Sequence, residues 1–163
     1  MKREQGMTLI ELIIVISIIG ILVIALGFEF NTWMGRYRVE TQIKEIYTDL
    51  MNARARAMEG NRVYCASISS NQYTIREDLD PAPDGDGDCD DPGDNPLPTY
   101  PKTVLYVMNW TGGSQIIFDK RGIISPLGSI NLTSTVDADY DCLTITQTRI
   151  NMGKWNGATC AER

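Results

Sequence analysis

Hydrophobic and polar positions divide the chain into stretches with different periods. Residues 7–28 are apolar almost without a break, and Glu11 is the charged exception. As a helix this run would span about 33 Å, enough for the ~30 Å hydrocarbon core of a bilayer. Beyond residue 28 the period changes. Val39, Ile43, Ile46, Leu50, Ala53 and Ala57 recur at alternating spacings of four and three, which draws one apolar stripe along a helix. Tyr47, Met51 and Met58 widen the stripe, while Glu40, Lys44, Glu45, Asp49, Arg54 and Arg56 occupy the other faces. Charge pairs at i, i+4 on such faces add only a few tenths of a kcal/mol. Gly60-Asn61 is a helix stop. The pattern predicts one continuous helix over 7–59, about 80 Å long. Its first half is apolar all round, and its second half has one apolar face that needs a partner.

From residue 61 the pattern shortens to that of strands. Residues 62–68 and 72–76 read as strands joined by a turn at Ser69-Ser70-Asn71. Residues 103–110 read as another, with Gly112-Gly113 turning the chain into a return strand at 115–118. Asp119-Lys120-Arg121-Gly122 is the next turn, and strands over 129–135 and 142–150 complete the set. The expected head is an antiparallel sheet whose apolar face is covered by the amphipathic half of the helix. That makes an α+β fold with about 100 residues in the head, enough for one modest core.

Lys2 and Arg3 precede the apolar run, so the positive-inside rule keeps the N-terminus in the cytoplasm and sends the rest of the chain across the membrane. A secretory signal peptide cut at Ala25-Leu26-Gly27 is the competing reading. Glu11 inside the apolar core, and the helical period continuing past residue 28, count against it. A carboxylate buried in lipid costs about 2.5–3.5 kcal/mol on insertion scales. By default such a residue is functional and has a partner.

Gly6-Met7-Thr8-Leu9-Ile10-Glu11 resembles the processing signal of type IV pilins and type II secretion pseudopilins. Met7 stands where that family more often has Phe. The resemblance implies that a prepilin peptidase cuts between Gly6 and Met7 and methylates the new amine of Met7. That amine would be a positive charge within lipid, and Glu11 of a neighbouring subunit can neutralise it, because pairing recovers much of the penalty of an isolated buried charge. The bland alternative is a tolerated carboxylate near the membrane surface; short Glu snorkels poorly compared with Lys or Arg. Gly20 and Gly27 each cost about 1 kcal/mol of helix propensity relative to Ala. Loosening on filament entry and close packing of helices both remain open for them. Trp33 and Tyr37 suit a membrane interface, and helix contacts in a filament equally.

Further along, Ala53-Arg54-Ala55-Arg56-Ala57 followed by Asn61, Val63 and Cys65 resembles the helix end and first strand of FimT/GspH-type minor pilins and pseudopilins. Ile117-Phe118-Asp119 with Gly122, and Leu143-Thr144-Ile145 with Arg149-Ile150, resemble later strands of that group. Thr148 stands where the group usually has glycine, and residues 77–101 fall outside the resemblance. What it implies is a type IV pilin-like chain divided into a leader peptide (1–6), a transmembrane and assembly helix (7–28), an amphipathic helix on the head (29–59) and a β head (60–163) with an acidic loop (77–101). Implied partners are other pilin or pseudopilin subunits through helix bundling, the prepilin peptidase, an inner-membrane assembly platform and membrane lipid. The implied location is a bacterial inner membrane with the head in the periplasm, and then a filament.

The acidic loop carries Glu77, Asp78, Asp80, Asp84, Asp86, Asp88, Asp90, Asp91 and Asp94 and no basic residue. Its prolines and glycines exclude a regular element. The alternation Asp84, Asp86, Asp88, Asp90 resembles the start of a calcium loop, although Cys89 occupies the glycine position and Asn95 the closing position. Calcium is one reading; a solvated acidic loop is the favoured one. Cys65, Cys89, Cys142 and Cys160 form no Cys-x-x-Cys, and the chain has no histidine, which counts against zinc or haem. An exported head favours disulfides. Of the three pairings, Cys65–Cys89 with Cys142–Cys160 is preferred as the simplest closure, and a crossed Cys65–Cys142 pairing stays open. A loop closed by Cys142–Cys160 also resembles the disulfide-bounded region near the end of many pilins.

Catalysis finds little support. Without histidine, Ser and Cys lack their usual base, and no phosphate loop or nucleophile elbow occurs. Asp137, Asp139 and Asp141 read as solvated strand-edge acids, with calcium again the alternative. The net charge of −6 falls on the head, whereas nucleic-acid binding needs clustered cations. The expected function is therefore that of a structural, minor subunit of a type IV pilus or type II secretion pseudopilus. A filament-tip binding module for DNA or an exported substrate is the alternative.

Overall fold

The computed structural model describes residues 7–79, 86–87, 89–90 and 93–163; of residues 25–29 only the backbone is described. The chain forms two compact units, Met1–Gly35 and Arg36–Arg163. The helix α1 (Leu9–Gly60) contributes to both.

In the first unit, Thr8 caps the helix. The Glu11 amide donates to Thr8 Oγ1 at 3.3 Å, and the Leu12 amide donates to the Thr8 carbonyl at 3.2 Å. Thr followed three residues later by Glu is the capping-box pattern, and an acid in the first turn also suits the positive end of the helix dipole. Further in, the Ser17 hydroxyl donates to the Ile13 carbonyl at 2.7 Å, so it needs no outside partner. Among the described residues no helix is long and apolar enough to cross a membrane. The expected span over 7–28 reaches into positions whose side chains lie outside the described set.

In the second unit the predicted stripe is the core face of the helix. Val39, Ile43, Ile46, Leu50, Ala53 and Ala57 are each at most 1 % exposed. Full burial of an aliphatic side chain of this kind contributes about 1.5–3 kcal/mol. Tyr47 and Met51 flank the core, whereas Met58 remains 48 % exposed, so it does not extend the buried stripe. Asn61 adopts a left-handed φ of 52°, which stops the helix as Asn or Gly commonly does.

Two antiparallel sheets replace the single one expected. The first contains β1 (Tyr64–Ile68), β2 (Gln72–Glu77), β3 (Asn95–Pro96), β4 (Lys102–Thr103), β6 (Gln115–Phe118) and β7 (Ile124–Ser125). Its order is β3-β2-β1-β6-β7, and β4 also pairs with β2. The second contains β5 (Val107–Trp110), β8 (Gly128–Thr133), β9 (Cys142–Ile145), β10 (Ile150–Trp155) and β11 (Cys160–Glu162), in the order β11-β10-β9-β8-β5. Tyr73, Ile75, Ile116 and Phe118 from the first sheet join Ile130, Leu132, Leu143 and Ile145 from the second in one core with the helix stripe.

The expected strand over 103–110 divides between the sheets. The Val104 amide still follows the β2–β4 register, donating to the Asn71 carbonyl at 2.8 Å, and the pairing ends there. The next two amides, of Leu105 and Tyr106, both donate to Gln42 Oε1, at 3.1 and 3.3 Å. The hairpin expected at Gly112-Gly113 is also corrected. β5 pairs with β8, β6 pairs with β1, and the glycines lie on a link between sheets. Trp110 accounts for one of them: a Cβ on Gly112 would lie 2.1 Å from its indole ring. The expected strand over 142–150 is a hairpin, closed by the Thr146 amide donating to the Arg149 carbonyl at 2.9 Å. β10 and β11 beyond it were not expected. They pack closely, for a Cβ on Gly153 would lie 2.2 Å from the Ala161 carbonyl oxygen.

Candidate functional site

Among the described residues, the first unit presents exposed apolar side chains. Met7 is 66 % exposed, Leu9 77 %, Ile21 69 % and Ile24 65 %. Exposed apolar area beyond a few hundred Å² marks a site of association with protein or membrane. Glu11 sits in the first turn of this surface, four residues after Met7. Gly6, the other residue of the expected cleavage site, lies outside the described residues. Gly20 offers open space, since a Cβ there would meet nothing within 4 Å.

In the second unit a polar cluster fastens the helix to the first sheet. Asp49 is only 9 % exposed. It accepts hydrogen bonds from the Tyr73 hydroxyl at 2.6 Å and from Lys102 Nζ at 2.7 Å. Lys102 also reaches Glu45 at 3.1 Å, and its ammonium lies 5.5 Å from the centre of the Tyr100 ring. Burial alone would lower the pKa of Lys102, but its hydrogen bonds to Asp49 and Glu45 outweigh that and hold it above the ordinary lysine value. Burial pushes the Tyr73 phenol up, and the Asp49 carboxylate adds to the effect. Periodicity placed Asp49 among the surface charges. It sits beside the buried stripe, and nothing local to the helix revealed that Tyr73 and Lys102 would converge on it.

The acidic loop is organised from inside. Asp78 is fully buried and Asp94 is 5 % exposed. Asp78 Oδ2 accepts from the Gly87 amide, and Asp94 Oδ1 accepts from the Leu79 amide, each at 2.9 Å. Burial raises the pKa of Asp78; the Gly87 amide opposes this, and the nearby charges of Asp94 and Asp86 reinforce it. The Cys65–Cys89 disulfide ties the loop to β1, and Arg76 Nη1 donates to the Cys89 carbonyl at 3.3 Å. Asp84 and Asp88 of the calcium reading lie outside the described residues, and Asp86 and Asp90 are exposed. Among the described residues no group of three or more potential ligands is placed to hold a metal ion.

A second disulfide, Cys142–Cys160, joins β9 to β11. Of the acids read as solvated edge residues, Asp137 and Asp139 do remain 75 and 71 % exposed, and only Asp141 is half-buried; all three also brace this end of the sheet. Asp137 pairs with Lys154. Asp139 pairs with Arg163 at 2.9 Å, and Asp141 accepts from the Trp155 amide at 2.6 Å. Their partners lie in β10 and just beyond β11, the C-terminal strands that sequence reading missed.

The comparisons with known proteins agree with this division. Residues 1–27 match the prokaryotic N-terminal methylation motif, and residues 42–149 match the type II transport protein GspH family. No curated protein and no solved structure matches the chain. A methylation motif on an exposed apolar helix, followed by this two-sheet head, fits a subunit that acts by assembling. The chain belongs to the GspH family of type II transport proteins and is a pilin-like structural subunit.

Proposed function

We propose that the chain is a minor subunit that waits in the bacterial inner membrane, anchored by residues 7–28 with its head in the periplasm, and is then drawn into a pseudopilus or type IV pilus. A prepilin peptidase removes residues 1–6 and methylates Met7. An assembly platform in the same membrane hands the subunit to the base of the filament. Its contribution is structural rather than enzymatic, in keeping with a chain that has no histidine to serve as a general base.

The observation that carries this reading is the uncovered apolar surface of the first unit with Glu11 in its first turn. Lipid can cover the apolar side chains of a lone subunit, but it cannot neutralise a carboxylate and an amine. Docking does both, because Glu11 of one subunit meets the methylated amine of another. Losing one member of a buried pair costs about 3–5 kcal/mol.

The capping geometry offers Glu11 a local role as well, and two substitutions separate the roles. Glu11→Gln keeps a side chain able to complete the capping box but removes the charge. Thr8→Ala removes the cap, at about 1 kcal/mol, and keeps the charge. The expectation is that both variants insert and are cleaved, but that Glu11→Gln is lost from purified filaments while Thr8→Ala is retained. Wild-type incorporation of Glu11→Gln would reduce Glu11 to a helix cap.

A further inference from the structure

Within the second unit, one end of the head presents large apolar side chains to solvent. Tyr37, Leu105 and Val107 are 57, 70 and 47 % exposed. Tyr37, Arg38, Thr41, Gln42, Glu45 and Leu105 line one shallow groove. The exposure of Leu105 is imposed by its surroundings. The amides of Leu105 and Tyr106 both donate to Gln42 Oε1, and Val104 and Tyr106 on either side pack against the core. With its neighbours turned inward, Leu105 is held outward. Arg36 and Arg38 are exposed on the adjoining helix turn. The acids nearby are largely answered: Glu45 by Lys102, Asp137 by Lys154 and Asp139 by Arg163.

We propose that this end of the head rests on the bilayer surface while the subunit awaits assembly, with Leu105 and Tyr37 at headgroup level and Arg36 and Arg38 among lipid phosphates. The inference rests on residues 7–28 being membrane-anchored, and chain continuity then identifies the occupant. Residues 29–35 alone join the apolar run to Arg36. As part of α1 that link is helical and spans about 11 Å, so the bilayer is within range of this end. Tethering makes a weak docking surface effective, because it raises the local concentration of its partner. An aromatic ring beside apolar side chains and arginines is the composition that favours the membrane–water interface, and anionic headgroups attract each nearby cation. Docking of this kind fixes the orientation of the head before the filament captures the subunit.

The full-length chain supports a direct test. Its four cysteines form two disulfides, so one added cysteine can carry an environment-sensitive fluorophore. Labels are placed at Val107→Cys, at Ile19→Cys in the apolar run and at Arg121→Cys on an exposed turn. The chain is reconstituted in vesicles of phosphatidylethanolamine and phosphatidylglycerol brominated high on the acyl chains. Labels at 19 and 107 should be quenched several-fold more than the label at 121. Leu105→Asp, or Arg36→Glu with Arg38→Glu, should remove most of the quenching at 107 and leave that at 19. Quenching at 19 but not at 107 overturns the docking and leaves the anchor standing. No quenching at 19 overturns the anchor itself. A label at 107 that is silent in vesicles and shifts only in filaments gives the surface to a neighbouring subunit instead.

Discussion

Asp49 and Asp78 are buried acids with opposite electrostatic surroundings. Asp49 collects a phenol and an ammonium, whereas Asp78 has backbone amide help on one oxygen, finds no hydrogen-bond partner for the other among the described residues, and faces other acids. Removing Asp49 leaves Tyr73 and Lys102 short of a partner, at a cost of about 1–3 kcal/mol. Urea unfolding of Asp49→Ala should show that loss. The same cluster sets an alkaline limit. Lys102 and Tyr73 both hold their protons more tightly in the folded state. Above about pH 10 the folded state therefore binds more protons than the unfolded one, and stability falls as pH rises. Asp49→Ala should flatten that fall. For Asp78 the folded pKa is raised, so stability from this group is gained as pH drops from neutral through the folded value towards the ordinary carboxylate value. Asp78→Asn should raise the melting temperature at pH 7 and remove that gain. A lower melting temperature that calcium restores only in the wild type would show instead that the loop needs this charge for a cation.

At the scale of elements, the helix was legible because its period is long and its stripe is strict; every predicted stripe position from Val39 to Ala57 is buried. β1, β2 and the turn at 119–122 were legible because their strand and turn residues are local. The partition into two sheets was not. It depends on Gln42, whose side-chain carbonyl takes the amides of Leu105 and Tyr106 from 63 and 64 residues away in the chain. β11 is short and largely exposed, and no alternation announces it. The Cys142–Cys160 disulfide holds this strand against β9, across a separation of 18 residues. By the chain-entropy account such a closure is worth about 3 kcal/mol. The Cys142→Ser, Cys160→Ser double variant should lose about that much stability. It should also lose amide protection first along β11, with β1 and β2 unaffected under native conditions. Equal loss everywhere would mean that the disulfide stabilises the head globally and does not pin one strand.

For the whole molecule, the two units divide the labour. The first offers a surface that only lipid or other helices can cover, and the second is a stapled, acidic head with its own core. The family assignment was legible from both ends of the sequence, because the processing signal and the head motifs are local strings. The docking end around Leu105 was not legible, because it appears only when Gln42 meets a loop 63 residues further along the chain. The central claim is that this chain becomes a filament subunit by losing its first residues. Mass spectrometry of sheared, purified filaments tests it most directly. The account predicts a chain that begins at N-methylated Met7 and retains both disulfides. A chain still beginning at Met1, one trimmed near Gly27, or one found only outside the filament fraction would contradict it.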